Sequence, residues 1–359
     1  MFDTSDLSPK YYQLKRYLLN QIQRGELIPG QRLDTENVLA KQFKLSRQTV
    51  RQALGELENE GWIVRQQGRG TFVTDQTRKP KPIGLIIKSI TNYTFPEIIR
   101  GIENRLNAAG FELKIYLSQD DPELEAECLK RVLNSEVDGL IIEPAKNIES
   151  CNNLHYFQEL GKRHIPYLFL HSFWSELDPA YLVLDDCQGG YLATQYLLNL
   201  GHRKIAGIFN IESSQGINRK EGYKKALLEY SIRPEQRWIG DYQYRIDHGT
   251  FAFQFMQELL KRPQYPTAVF CYNDLDAIRA LEAIRQAGLK VPDDISIIGY
   301  NDSGLTTVSE VKLTSVKHPK REFGLEAAGL MISMIKHRIE KPRMVIQPEL
   351  IIRSSCRKI

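Results

Sequence analysis

Cysteine is sparse in this 359-residue chain: Cys128, Cys151, Cys187, Cys271 and Cys356, an odd number with no CxxC pair. That count and spacing exclude a disulfide framework and a thiolate zinc site, leaving buried reduced thiols as the expectation. The seven histidines show no HExxH or HxxxH spacing, so no metal site is expected either. No run approaches the roughly 20 apolar residues of a membrane span. The N-terminal MFDTSDLSPKYY lacks the basic region and apolar core of a secretory signal. A cytoplasmic protein with no membrane partner is the expectation.

Enzyme signatures are missing as well. There is no GxSxG elbow and no GxxxxGK[ST] phosphate loop. Asp185 and Asp186 are adjacent acids, but as neighbouring strand residues they would point to opposite faces. Neither catalysis nor a cofactor is therefore expected. The rivals weighed are an α/β transferase or hydrolase and a transport-associated binding protein.

What is present is an ordinary globular composition, 42% hydrophobic and 26% charged, in a length that suits two or three domains. The net charge of +4 is unevenly placed. Residues 1–81 carry 14 Lys and Arg against 9 Asp and Glu, and the remainder 34 against 35. All of the excess basicity lies in the first fifth of the chain, as in a nucleic-acid-binding head on a near-neutral body.

In residues 10–25, Tyr11, Leu14, Leu18 and Ile22 fall at helical spacing before a stop at Gly25. Thr35 caps a second short helix over TENVLAKQF, and Ser46 caps a third. That third helix carries the stripe Val50, Ala53, Leu54 and Leu57 and ends at Gly61. WIVRQQGRGTFV then spells two short strands around a glycine-rich turn. Three helices and a hairpin make a winged helix-turn-helix, whose second motif helix enters the DNA major groove. Its first turns offer Ser46, Arg47, Gln48 and Arg51, and the wing offers Gln67 and Arg69. Arg can grip guanine and Gln adenine bidentately. Solvated helix residues, or arginines on phosphate alone, are the alternatives. Lys10 is taken as a further positioning contact.

These motifs carry a resemblance. SRQTVRQAL at 46–54, GW at 61–62 and GRGTFV at 68–73 are similar to the GntR family of transcription regulators, over about residues 8–74. LDTEN at 33–37 departs from the family's Pro-Ser-Glu-Arg run. The domain division is 1–75 for this head, 76–82 for a proline-containing polar linker, and 83–359 for the body.

From residue 83 apolar strand-like runs alternate with helix-like ones: IGLII (83–87), ELKIYL (112–117), DGLIIEP (138–144), HIPYLFLH (164–171) and YLVLD (181–185) come first. KIAGIFN (204–210), RWIGDY (237–242), TAVFCYND (267–274) and ISIIGYND (295–302) follow. The fold class is α/β with parallel sheets covered on both faces. At about 270 residues, two lobes are expected. Ligands bind outside the carboxyl ends of such strands. Tyr93, Phe95, Glu143, His171, Asn273, Asp274, Asn301 and Asp302 follow those strands, a mix of rings and hydrogen-bonding groups suited to a small polar ligand such as a sugar. Turn chemistry is the alternative at each position alone.

LDDCQGG (184–190), LLNLGHRKIAGI (197–208), RKEGY (219–223), CYND, VPDDISIIGYND and LTSVKHP (313–319) give this part a resemblance to LacI/GalR repressor cores. That resemblance implies a two-lobed, periplasmic-binding-protein-like core. It places Arg219 on sugar hydroxyls, with Asn273, Asn301 and His318 at other effector contacts. Asn301 departs from the family's usual aspartate. A surface ion pair with Glu221 is the alternative for Arg219. A GntR-type head on a LacI/GalR-type body resembles the arabinose-responsive repressors. The pairing implies partners: double-stranded operator DNA, L-arabinose or a related sugar, and a second copy in a homodimer. Helix 97–109 and the 122–135 region are amphipathic enough to supply the dimer interface.

Overall fold

Over residues 8–74, 80–90, 93–145, 151–243, 249–336 and 339–359, which a computed structural model describes, a small helical head precedes two parallel sheets. Two units result: Met1–Lys81 with Ile332–Glu340, and Pro82–Met331 with Lys341–Ile359. Residues 76–79 of the expected linker, with Asp75 before them, lie outside the described residues.

The head contains α1 (Lys10–Gln23), α2 (Glu36–Phe43), α3 (Arg47–Asn59), β1 (Ile63–Gln66) and β2 (Gly70–Val73). Both expected caps form, Thr35 accepting from the Val38 amide and Ser46 from the Thr49 amide, so each helix begins where an otherwise orphaned N–H finds a side-chain oxygen. Lys44 ends α2 in the left-handed region at φ 55°, which turns the chain sharply into α3. The expected stripe is buried: Val50, Ala53, Leu54 and Leu57 pack with Leu14, Leu18 and Leu39. The strands pair antiparallel from Ile63↔Val73 to Gln66↔Gly70, and Gly68 (φ 75°) and Gly70 (φ 121°) supply the backbone the turn needs.

The body's first sheet has the order β13-β7-β6-β5-β3-β4, from β3 (Ile83–Ile87), β4 (Leu113–Leu117), β5 (Gly139–Ile142), β6 (Tyr167–Leu170), β7 (Ala180–Leu184) and β13 (Arg343–Ile346). The second has the order β14-β12-β11-β10-β8-β9, from β8 (Ile205–Asn210), β9 (Ile239–Tyr242), β10 (Ala268–Cys271), β11 (Ser296–Asn301), β12 (Thr314–Lys317) and β14 (Glu349–Ile351). Helices α4 (Phe95–Ala108), α5 (Pro122–Asn134) and α6 (Leu154–Lys162) belong to the first lobe. The second has α7 (Asp186–Asn199), α8 (Ser214–Glu229), α9 (Phe251–Leu260), α10 (Asp274–Gln286) and α11 (Leu305–Val308), and α12 (Lys320–Ile335) follows β12. Among the body's described strands every pairing is parallel except β12 with β14, where the chain returns antiparallel at an edge.

In each sheet the opening strand lies between the second and third, so the winding direction reverses between β3 and β5 and between β8 and β10. A crevice forms outside the strand ends at such a reversal. The chain passes between lobes three times: after β7 into α7, which packs in the second lobe's core; after β12 into α12; and between β13 and β14. At the second passage α12 lies directly on α4, where a Cβ on Gly101 would come within 3.0 Å of the Leu325 amide nitrogen.

One expectation is corrected. Asp185 and Asp186 are not strand residues: β7 stops at Leu184, Asp185 caps α7 and Asp186 is its first residue. The apolar stripes of α4 and α5 pack into their own lobe. Ile98, Ile102 and Leu106, like Leu129 and Val132, are buried within the chain. Among the described residues no helix is long and apolar enough to cross a membrane.

Candidate functional site

The head's expected DNA contacts lie on α1, α3 and the wing. Arg47 and Gln48 occupy the first turn of α3 and are exposed, with Ser46 fixed beneath them by its own cap. Arg51, one turn on, is held by Glu36 of α2, its Nη2 lying 3.1 Å from Oε2. Glu36 also meets Arg65 of β1 at 3.7 Å, and that arginine donates to the Arg51 carbonyl oxygen. One carboxylate thus ties α2, α3 and the wing together. Gln67 and Arg69 are exposed in the wing turn, and Lys10 is exposed at the start of α1. All the head residues expected from sequence share this unit; Glu36 and Arg65 were not anticipated. Their signal was an acid fifteen residues before Arg51, meaningless until the motif angle brings the helices together.

In the first lobe the strand ends carry Lys88 and Glu143. Backbone pairing continues past β3 and β5, with Glu143 N–H donating to Ile86 O at 2.9 Å, so both residues stand at the reversal point. Glu143 Oε1 is 3.3 Å from His171 Nδ1. His171 follows β6 at φ 63°; its ring stacks on Phe323 at 4.8 Å and meets Phe95 edge-on at 5.7 Å. Phe95 therefore shapes the histidine. His171 Nε2 lies 3.0 Å from Nε2 of His318, which follows β12 in the other lobe. Burial, the neighbouring His171 and the charges of Lys320 and Arg219 hold His318 well below the usual histidine range, so it is neutral.

The second lobe contributes Arg219. Its α8 crosses α7 at glycines: a Cβ on Gly190 would strike the Arg219 carbonyl, and one on Gly222 the Cys187 carbonyl. This close approach brings Arg219 Nε to 2.8 Å from Asp186 Oδ1. Nη1 donates to the Tyr272 carbonyl at 2.6 Å, and the guanidinium lies 3.5 Å over the Tyr300 ring. Burial disfavours the charge, but Asp186, Tyr300 and Tyr272 together outweigh it and the pKa is raised. Glu221, the sequence's alternative partner, pairs instead with Lys224.

Asn273 caps α10 by accepting from the Asp276 amide at 2.8 Å. Asp274 is turned inward: Oδ1 accepts from Ser315 and Oδ2 from the Ser303 amide, at 2.6 and 2.7 Å. Asp276, two residues on, accepts from the Tyr242 hydroxyl at 2.7 Å; burial pushes its pKa up to about 7. Asn301 has φ 91° and Asp302 φ 46°, conformations rare outside glycine. Lys320 Nζ secures both by their carbonyls, at 2.6 and 2.9 Å. Tyr93 of the first lobe lies close enough to the Asn301 side chain to interact with it. The two sets of strand ends therefore face one another across a cleft, and Tyr93, Glu143, His171, Arg219, Asn301 and His318 come together there. Lys88, Asp186, Tyr272, Asp276 and Lys320 join them without having been anticipated. Among the described residues no group of three His, Cys, Asp or Glu could hold a metal ion.

A winged helix-turn-helix joined to a two-lobed body with a buried polar cleft defines a DNA-binding regulator controlled by a small ligand. Known proteins agree. Residues 10–73 match the bacterial regulatory proteins of the gntR family, and 194–356 the periplasmic binding protein-like domain. The chain is 41% identical to an arabinose metabolism transcriptional repressor of Geobacillus stearothermophilus, over 98% of each chain. It is 36% identical to the protein of the same name from Halalkalibacterium halodurans, over 97% of each. A LacI family transcriptional regulator from Enterococcus faecium, solved with bound ribose, superposes with a TM-score of 0.65 at 28% identity, covering 77% of this chain and 99% of that one. The chain belongs to the family of arabinose metabolism transcriptional repressors.

Proposed function

We propose that this repressor binds operator DNA as a homodimer through α3 and the wing, and that L-arabinose in the cleft releases it. The observation that carries the effector reading is the clamped Arg219. Asp186, the Tyr272 carbonyl and the Tyr300 ring fix its plane while a charged, multi-donor group remains beside the cleft. Neighbouring sugar hydroxyls suit such a fork. The amide of Asn301 favours a second reading, a different pentose or hexose, because it presents a donor as well as an acceptor where a carboxylate only accepts.

A ligand can shift the equilibrium only by its differential affinity for two states, so release requires a lobe arrangement that sugar favours and operator does not. By reciprocity, operator must weaken sugar binding by the same factor. Calorimetry of the full chain against a panel of pentoses and hexoses, with and without operator, tests both parts. L-arabinose should bind tightest, and more weakly on the DNA complex. Equal affinity in both states would overturn the coupling, and tighter binding of another sugar the effector assignment.

A further inference from the structure

Lys88 is the first residue after β3, the strand that pairs with both β4 and β5, and so stands at the first sheet's reversal point. Its Nζ is 3.0 Å from Asp120 Oδ1, its side chain is only 17% exposed, and its backbone N–H lies 3.5 Å from Glu143 Oε2. Burial alone would lower the ammonium's pKa; Glu143 and Asp120 outweigh that, and it is raised, so Lys88 is charged. Tyr272 of the facing lobe lies near enough to act on the same ammonium. Tyr272 follows β10 at the second sheet's reversal point and is the residue whose carbonyl holds Arg219. The two lobes' reversal points thus bring one cation each near Tyr272.

An ammonium has three donors, and the ion pair with Asp120 does not use them all. A buried donor without an acceptor is costly, whereas a polyhydroxylated ligand supplies acceptors. We propose that Lys88 is an effector contact of the first lobe, donating to a hydroxyl or ring oxygen of the sugar and setting which hydroxyl pattern is accepted. The inference rests on the reading of the cleft as a sugar site.

The test is calorimetry of the full chain, as wild type, Lys88→Met and Lys88→Gln, against L-arabinose and its monodeoxy derivatives. A charged hydrogen bond lost should weaken L-arabinose by about tenfold or more in Lys88→Met. One deoxy sugar that the wild type discriminates against should bind Lys88→Met as well as L-arabinose does, a change that loss of packing alone would not produce. On the wild type, L-arabinose should also slow reductive methylation of Lys88, read by peptide mass spectrometry, which needs no variant to fold. Wild-type affinity in both variants with every deoxy penalty retained would overturn the assignment, as would methylation indifferent to saturating sugar. If the wild type itself binds none of these sugars, the effector reading fails and Lys88 with it; if it binds and the variants match it, Lys88 alone fails.

Discussion

Arg219 Nε donates to Asp186 Oδ1 at 2.8 Å, and the two side chains, each 4% exposed, neutralise one another inside the second lobe. A buried pair of this kind contributes little net stability against apolar replacements, but losing one partner strands the other's charge. Its evident use is geometric: it fixes the guanidinium plane against Tyr300.

If Arg219 holds the sugar, Arg219→Ala should bind L-arabinose at least about tenfold more weakly, since two charged hydrogen bonds contribute roughly 1.5–3 kcal/mol each. In a gel-shift titration the variant should stay on operator at sugar concentrations that release the wild type. Near wild-type affinity in calorimetry would show that the pocket is misplaced.

Arg47→Ala should cost about 1–3 kcal/mol at the operator and relax discrimination at one base pair. Lys10→Ala should instead weaken all sequences alike and make the salt dependence shallower by about one unit. Operator discrimination that survives Arg47→Ala would refute the recognition-helix assignment.

Asp276 gives the body a pH dependence. Its pKa rises from 3.8 to about 7 through burial, so between those values the folded state binds more protons than the unfolded chain. Stability from this group is therefore present at low pH and lost as pH rises toward 7. Asp276→Asn has no proton to lose, so the wild type should weaken relative to the variant between pH 4 and pH 8, by up to roughly 4 kcal/mol. His318 acts in the opposite sense, its depressed pKa costing stability below about pH 6.5, but it is common to both proteins and cancels in the difference. Parallel stability curves from denaturant titrations would refute the claim.

Gly222→Ala should destabilise by about 1–3 kcal/mol, because its Cβ would collide with the Cys187 carbonyl and force α8 from α7. Sugar affinity should fall with it, as Arg219 is drawn off Asp186. Unfolding in urea indistinguishable from wild type would contradict the close crossing.

The caps at Thr35 and Ser46, the stripe from Val50 to Leu57 and the strand cores at 83–87 and 205–210 were legible because each is a local pattern that its own burial completes. Helices α6 and α9 escaped a reading centred on strand-like runs: α9, FAFQFMQELL, carries aromatic residues on several faces, and a short apolar run does not declare its period. In the cleft, residues directly after strands were found and their partners were not. Asp186 lies 33 positions before Arg219, and Lys88 is an ordinary lysine until its neighbours enclose it. Asp274 was expected because it follows a strand, and Asp276 was not; helix geometry sends the first carboxylate inward to Ser315 and the second to Tyr242.

The three passages of the chain between lobes bear on how the protein is made. Each sheet receives an edge strand from the last seventeen residues, β13 for the first lobe and β14 for the second. No contiguous fragment contains one whole lobe and leaves out the other. During synthesis neither sheet can close its edge until residues 343–351 have left the ribosome, so both lobes finish within a few residues of each other. A chain cut short before Arg343 would lack an edge strand in both sheets together.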